Sequence, residues 1–209
     1  MMKILIVAAT EPEIEPLLAH FNIKRPFDVL ITGVGMVATA YALGNYFTLN
    51  QQHLVINLGI AGSFDRGIAL GEVVEIVSDN LSELGAEDGD AFIAIKNLGF
   101  GESQYYTTAS LGNYLTNAAL KKTTAITVNT AHGNEASIQK VMEQAAPQME
   151  SMEGAAFFYA CQKAGVAGLQ IRAVSNYVEK RNRDNWKIGL AIKNLNNFAI
   201  ELISSITKV

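Results

Sequence analysis

The 209-residue sequence is poor in cysteine, histidine and proline, with one, three and four residues respectively. The single cysteine, Cys161, excludes an internal disulfide and is typical of proteins from a reducing compartment. It lies in the apolar stretch 155–164, which predicts a buried side chain. The scattered histidines and this one cysteine form no cluster with metal-ligand spacing. We therefore expect neither a metal site nor a cofactor.

The sequence also lacks a basic patch and a long apolar run. The formal net charge is -4, and the pair Lys121-Lys122 is too small for a surface that binds nucleic acid. The apolar segment that ends before Glu11 is too short to span a membrane and has no signal-peptide cleavage site. We therefore expect a cytoplasmic protein with neither a nucleic-acid nor a membrane partner.

What the sequence does contain is an alternation of short apolar runs, glycine turns and segments of helical periodicity. This alternation predicts one domain over residues 1–209, of the α/β class: a three-layer α/β/α sandwich with a mainly parallel, mixed central sheet. The predicted strands are 3–9, 29–32, 54–58, 72–77, 125–128 and 168–174. The predicted helices are 11–21, 36–47, 137–144, 154–164 and 186–206. Segment 81–101 has weak periodicity and is predicted to be a long functional loop or excursion.

The candidate functional residues follow predicted strands, where ligands bind in such sheets. The first are the acids of Glu11-Pro12-Glu13. A carboxylate there can serve as a general base for water, although acids in a first helical turn also simply favour the helix dipole. The turns Gly33-Val34-Gly35 and Gly59-Ile60-Ala61-Gly62 allow either close ligand approach or tight turns. Neither turn matches a dinucleotide fingerprint or a phosphate loop.

A second group lies in segment 149–156, where acids interrupt an apolar sequence. A carboxylate there is suited to bind sugar hydroxyls through charge-assisted hydrogen bonds, with a neighbouring methionine packed against the sugar ring. The alternative is a capping box, in which Glu150 or Glu153 serves the start of the next helix. The residues themselves favour neither hypothesis.

A third group ends the last predicted strand, in Arg172-Ala173-Val174-Ser175-Asn176. A buried Arg172 requires a carboxylate or another acceptor. The amide of Asn176 offers a donor and an acceptor to the edge of a base, or it caps a helix or occupies a turn. His132, on a glycine-bearing turn, either contacts substrate or is a solvated loop residue.

The order of these motifs resembles the nucleoside phosphorylase/nucleosidase superfamily, especially its methylthioadenosine/S-adenosylhomocysteine nucleosidase branch. The similar segments are 3–13, 32–37, 57–62, 70–74, 151–154 and 172–176, so the resemblance covers nearly the whole chain. Segments 84–89 and 175–183, with Trp186, resemble the branch that hydrolyses futalosine to release hypoxanthine in an alternative menaquinone pathway. The resemblance implies a small-molecule nucleoside substrate and a homodimer or larger homo-oligomer.

The resemblance also implies residue roles. Glu13 matches the acid that activates water, Glu153 the carboxylate that binds the ribose hydroxyls, and Arg172 an arginine near the attacking water. The implied substrate-binding residues are Met152, Glu153, Gly59, Ile60, Ser151 and His132. Two positions depart from the adenine-cleaving members, which usually carry Asp where Asn176 stands and Ser where Ile60 stands. The second departure leaves the surroundings of the water open.

The identity of Asn176 has a physical consequence for the base. The carbonyl at C6 of hypoxanthine repels an ionised carboxylate, whereas an amide can donate to O6 and accept from a protonated N7. The sequence therefore predicts hydrolysis of the N-glycosidic bond of a 6-oxopurine nucleoside, and the resemblance implies that this nucleoside is futalosine.

Three alternatives remain at this point. One is an adenine nucleosidase. Another is a phosphorylase, which the family usually equips with an arginine just after the first glycine turn, where Met36 and Val37 stand here. The third is a non-catalytic nucleoside-binding module, which has no need of Glu13.

Overall fold

A computed structural model describes residues 2–89, 91–115 and 120–208. The strands β1 to β10 in these residues are Ile4–Ala8, Asp28–Ile31, Leu54–Ser63, Val73–Leu81, Gly85–Asp88, Ala91–Ala94, Gln104–Tyr106, Lys121–Thr127, Met149–Ser151 and Ala167–Tyr177. The helices α1 to α5 are Glu15–His20, Met36–Leu49, Glu135–Ala145, Gly154–Ala164 and Ile188–Thr207. Short 3-10 turns occur at Glu11–Glu13, Leu111–Asn113 and Arg183–Asn185.

The central sheet is mixed and centred on the long strand β3. Strand β1 pairs in parallel with β2 and β3, and β3 pairs in parallel with β10. The order then continues through β4, β8 and β9, and β9 returns antiparallel to the end of β3. Strands β10 and β4 are also antiparallel. The predicted α/β fold with a mixed central sheet is confirmed, and part of the sheet closes on itself through β3.

Apolar residues cover both faces of the sheet. In β1, Ile4, Ile6 and Ala8 belong to a core with residues of α1 and α5, whereas Leu5 and Val7 belong to a second core with residues of α2 and α4. A strand buried on both faces shows the continuous apolar run seen in the sequence. Cys161 packs in the second core, as predicted, and burial raises the pKa of its thiol to about 12.

Several predicted elements are wrong. Residues 59–62 do not form a turn, because β3 pairs with β10 as far as Ser63. The predicted helix 11–21 divides into a 3-10 turn and α1, since Pro12 and Pro16 each fit only a first helical turn. Segment 81–101 is an excursion from the central sheet, but it contains the hairpin of β5 and β6 where a loop was the other possibility. All four residues of β5 are exposed, so no apolar alternation marks that strand.

Two further differences affect the candidate residues. Residues Met149–Ser151 form β9 instead of entering a helix, and Asn176 lies in β10 instead of capping a helix. Helix α4 has the predicted bounds, and the helices predicted at 36–47, 137–144 and 186–206 are confirmed within about two residues. In the part of the chain that the structure describes, no helix combines the length and apolarity needed to cross a membrane.

Candidate active site

A cavity of about 400 Å³ gathers most of the candidate side chains. It lies beyond the carboxyl end of β1, beside the later residues of β3 and β10. The predicted residues in its lining are Glu13, Ile60, His132, Ser151, Met152, Glu153 and Asn176. Gly59 and Arg172 lie directly behind this lining. A larger cavity of about 790 Å³ lies at the opposite, amino ends of β1 and β2, and none of these nine predicted site residues lines it.

The carboxylate of Glu13 is fixed by three donors. Its Oε2 accepts from the amide N–H of Thr10 at 3.0 Å and from the Thr10 hydroxyl at 2.9 Å. Its Oε1 accepts from the amide N–H of Ile60 at 3.1 Å. Glu13 therefore does belong to a helical first turn, but it also reaches across to β3 at the cavity wall. Position 60 contacts this carboxylate through its backbone, so the side chain of Ile60 is not needed for the contact.

Gly59 allows Arg172 and Glu13 to approach β3 closely. A Cβ atom at residue 59 would overlap Arg172 Nη1 and lie 3.0 Å from Glu13 Oε1. Arg172 is only 1% exposed, and its Nη2 donates to Gln170 Oε1 at 3.4 Å. The same Nη2 lies 3.9 Å from Glu153 Oε2. A buried cation thus sits between the two candidate carboxylates.

Glu153 immediately precedes α4, yet its side chain does not cap that helix. Its Oε1 instead accepts from the amide N–H of Gly35, at the start of α2, at 2.9 Å. Glu150 accepts from the backbone and the ring of His132. The capping-box hypothesis for these two acids is therefore wrong. With one oxygen bound to Gly35 and the other near Arg172, Glu153 presents a buried, oriented carboxylate to the cavity.

The amide of Asn176 is half-buried and oriented by its neighbours. Its Oδ1 accepts from the Ser175 hydroxyl at 2.8 Å, and its Nδ2 donates to the Tyr177 carbonyl oxygen at 3.1 Å. An amide has two N–H groups and two lone pairs on oxygen. One of each therefore remains for a ligand in the cavity.

His132 is not a solvated loop residue. Its amide N–H donates to Glu150 Oε1 at 2.9 Å, and its ring Nδ1 contacts Glu150 Oε2. The side chains of His132 and Glu150 are 13% and 5% exposed, and the ring of Phe64 packs edge-on against the histidine. The pairing holds the loop that follows β8 against the cavity.

Several residues that support the site are missing from the sequence-based prediction. Asn196 in α5 accepts from the Leu17 amide at 3.0 Å and donates to the Glu13 carbonyl oxygen at 2.9 Å, so it ties Glu13 to the last helix. Asp79 and Gln170 form a buried network behind Arg172. A polar residue in a buried strand or on the inner face of a helix is the one available signal, because such residues need partners.

The arrangement suits acid–base chemistry on a sugar derivative. One fixed carboxylate can accept a proton from water, a second can bind hydroxyl groups, and an amide can bind a polar ring. Among the residues that the structure describes, no group of three or more His, Cys, Asp or Glu side chains could hold a metal ion. The mixed sheet and this acid-lined cavity define an α/β protein with a site for a small polar molecule.

The chain belongs to the phosphorylase superfamily, whose family profile matches residues 3–208. Futalosine hydrolase from Thermus thermophilus is 30% identical over an alignment of 174 residues that covers 81% of this chain and 77% of that protein. Futalosine hydrolase from Streptomyces coelicolor is 31% identical over an alignment of 173 residues that covers 79% of this chain and 74% of that protein.

Solved structures agree with the fold. Futalosine hydrolase of Helicobacter pylori superposes with a TM-score of 0.81 at 16% identity, covering 100% of this chain and 98% of that one. The 5′-methylthioadenosine/S-adenosylhomocysteine nucleosidase of the same organism, solved with butyl-thio-DADMe-Immucillin-A, gives a TM-score of 0.82 at 18% identity. That match covers 100% of this chain and 99% of the other.

Proposed function

We propose that this chain hydrolyses the N-glycosidic bond of a 6-oxopurine nucleoside and that its substrate is futalosine. The observation that carries the proposal is the presence, in one cavity, of the fixed Glu13 carboxylate and the Asn176 amide with a free donor and acceptor. The similarity to curated futalosine hydrolases at 30% and 31% identity supports the same substrate.

In the proposed mechanism, Glu13 accepts a proton from water as the water attacks C1′ and the bond to N9 lengthens. Both oxygens of Glu13 already accept hydrogen bonds, so its orientation needs no rearrangement during the reaction. Positive charge develops on the sugar, and Glu153 stabilises it through the ribose hydroxyls while Met152 packs against the ring. Preorganised groups aimed at developing charge usually supply the largest catalytic effect.

Asn176 stabilises the departing base. Its second N–H donates to O6 of the leaving purine anion, and its second lone pair accepts from N7–H once a solvent water molecule has protonated that atom. Adenine carries an amino group at C6, which would face the N–H of Asn176 and leave two donors opposed. This mismatch supports a 6-oxopurine over adenine as the base.

Hydrolysis is favoured over phosphorolysis by the charges around the cavity. Helix α2 begins with Met36 and Val37 after the first glycine turn, so no arginine is available there to bind phosphate. Arg172 is directed toward Glu153 and Gln170. Among the residues that the structure describes, Arg181 is the one arginine in the cavity lining, and it stacks on the ring of Trp186.

We also propose that the protein acts in the cytoplasm as a homodimer or larger homo-oligomer. Exposed apolar side chains before and within the first two turns of α2 support self-association: Val34, Val37 and Tyr41 are 57%, 77% and 76% exposed. Exposed apolar groups that lie together are typical of protein interfaces. Sedimentation equilibrium of the purified chain tests this part of the proposal.

The hydrolysis is tested by incubating the protein with futalosine, inosine and methylthioadenosine, each with and without phosphate, and measuring base release. We expect release from futalosine that does not depend on phosphate. Release only from methylthioadenosine, or only with phosphate, would contradict the proposal.

The Glu13→Gln variant tests in the same assay whether Glu13 is the general base, and we expect kcat to fall by about 10²–10⁴-fold. Glu11→Gln, an exposed acid in the same turn, is the matched control and should keep wild-type turnover. Near-normal turnover by a folded Glu13→Gln variant would mean that Glu13 has only a structural role, through its contacts with Thr10, and is not the general base.

A further inference from the structure

A further carboxylate, Asp79, lies behind the cavity, and the proposed mechanism does not use it. Asp79, in β4, is 0% exposed and accepts from Gln170 Nε2 at 2.9 Å and from the Thr127 hydroxyl at 2.8 Å. Burial raises the pKa of this carboxyl to about 6, although both hydrogen bonds and the charge of Arg172 act in the opposite direction. Each oxygen of Asp79 thus accepts from its own buried donor, which is the arrangement that a buried carboxylate requires.

The amino end of α4 also packs closely on Asp79. A Cβ atom at residue 154 would overlap Asp79 Oδ2, so only glycine fits at this first residue of the helix. The unpaired amide groups and the dipole at the start of a helix stabilise a nearby negative charge. The Asp79 carboxylate and the first turn of α4 therefore hold each other in position.

One set of contacts leads from Asp79 to Arg172. Because Asp79 accepts from Gln170 Nε2, the amide of Gln170 must direct its Oε1 the other way. That oxygen accepts from Arg172 Nη2 and from Asn57 Nδ2, both at 3.4 Å. A flipped Gln170 would place its NH₂ group against these two donors. The orientation of Gln170, and with it the position of Arg172, depends on an acceptor at Asp79.

A second set of contacts leads from Asp79 to Glu153. The Thr127 hydroxyl, which donates to Asp79, accepts from the amide N–H of Ala155 at 2.7 Å. Ala155 lies in the first turn of α4, two residues after Glu153. The backbone that carries Glu153 is therefore attached to Asp79 through a single hydroxyl.

We propose that Asp79 is a positioning residue that sets Arg172 and Glu153 relative to each other, through Gln170 on one side and Thr127 on the other. This inference rests on the proposed function, because it concerns the carboxylate that is proposed to bind the ribose. Asp79 itself does not touch the substrate, since it is absent from the lining of the cavity.

Asp79→Asn is the direct test because the shape of the side chain is kept. An asparagine has one oxygen acceptor where Asp79 serves two donors. With its NH₂ toward Gln170, it opposes Gln170 Nε2 or forces the flip described above. With its NH₂ toward Thr127, it leaves the Thr127 hydroxyl proton without an acceptor. Either orientation disturbs one of the two connections, while the buried charge is removed.

Thr127→Val breaks only the connection to α4, and Thr123→Val is its matched control. Thr127 and Thr123 lie on the same strand, β8, and are 0% and 1% exposed. The Thr123 hydroxyl donates to the carbonyl oxygen of Glu75, away from Asp79 and α4. Thermal unfolding of all three variants establishes that they fold. If Asp79→Asn does not fold, the two threonine variants still test the connection to α4.

The first measurement is the ratio of kcat/KM for a 6-oxopurine riboside to that for its 2′-deoxy counterpart. A displaced Glu153 loses its preference for the 2′-hydroxyl, whereas a general loss of stability affects both substrates equally. We expect this ratio to fall in Asp79→Asn and Thr127→Val and to stay unchanged in Thr123→Val. Misplacement by about 1 Å costs on the order of 10²-fold in rate, which sets the expected loss of riboside activity in Asp79→Asn.

The second measurement needs no turnover and separates this inference from the proposed function. The amide N–H of Gly35 donates to Glu153 Oε1 at 2.9 Å, so its NMR resonance reports the position of that carboxylate. We expect the resonance to move in Asp79→Asn and Thr127→Val but not in Thr123→Val. A wild-type protein without nucleosidase activity would overturn the proposed function alone. A wild-type Gly35 resonance in both Asp79→Asn and Thr127→Val would overturn the positioning role.

Discussion

Replacing Asn176 with Asp should reverse part of the preference for 6-oxopurines. In the structure, Asn176 Nδ2 donates to the Tyr177 carbonyl oxygen at 3.1 Å, and Asp places a second oxygen at that point. An ionised Asp has no proton for O6 of the base. A protonated Asp has one, but the Tyr177 carbonyl oxygen competes for it. The ionised form therefore leaves O6 without a donor, and the protonated form leaves it only a shared one.

The size of the effect follows from that missing hydrogen bond. A buried acceptor left without a donor costs about 1–3 kcal/mol. Since about 1.4 kcal/mol corresponds to tenfold, kcat/KM for a hypoxanthine nucleoside should fall by about 5- to 150-fold. An adenine nucleoside should lose less or gain, because its C6 amino group can donate to the new oxygen.

The assay compares kcat/KM for inosine and adenosine, or for a matched pair with the natural 5′ extension. The ratio of the two values cancels any general loss of folded protein. Asn182→Asp, an exposed residue in the segment that follows β10, is the control and should leave the ratio unchanged. An unchanged ratio in Asn176→Asp would mean that other groups recognise the base, and the argument from the amide would fail.

Two further substitutions test how the ribose is bound and how Glu13, the proposed general base, is held in place. Glu153→Gln should reduce kcat/KM by about tenfold or more for the riboside and by less for the 2′-deoxy nucleoside, because a charge-assisted hydrogen bond is lost. Equal losses for the two substrates in steady-state assays would show that Glu153 does not bind the ribose. Asn196→Leu should lower the free energy of unfolding by about 1–3 kcal/mol for each of the two partners left unpaired, the Leu17 amide and the Glu13 carbonyl oxygen. It should also lower kcat, and urea denaturation with Asn197→Leu, on the exposed face of α5, provides the comparison.

The grouping of the candidate residues could be predicted because it depends on local signals and a general rule. Glu13 and Asn176 follow or end apolar runs that form β1 and β10. Neighbouring parallel strands bring such positions to one edge of the sheet. The apolar runs predicted the strands well, since β1, β3 and β10 are buried on both faces. The chemical roles of these side chains stay predictions.

The partners of each side chain could not be predicted, because most are distant backbone groups. Nothing local indicates that Glu153 accepts from Gly35 or that Glu13 accepts from the Ile60 amide. The end of strand β4 was also predicted wrongly because it depends on distant partners. Its predicted end at residue 77 is four residues short, because Ser78, Asp79 and Asn80 interrupt the apolar pattern. The strand continues because tertiary partners such as Gln170 and Thr127 satisfy the buried Asp79.

Strand β3 changes its pairing partner along one edge, and this change affects how the site tolerates mutation. On one side, β3 pairs with β1 up to Asn57 and with β9 from Gly62, so Ile60 lies in the interval between them. Its amide is left to bind Glu13. Because a main-chain group makes this contact, residue 60 can be exchanged during evolution without loss of the contact. The cavity wall at this position is therefore open to adaptation toward new ligands, while the acid beside it keeps its place.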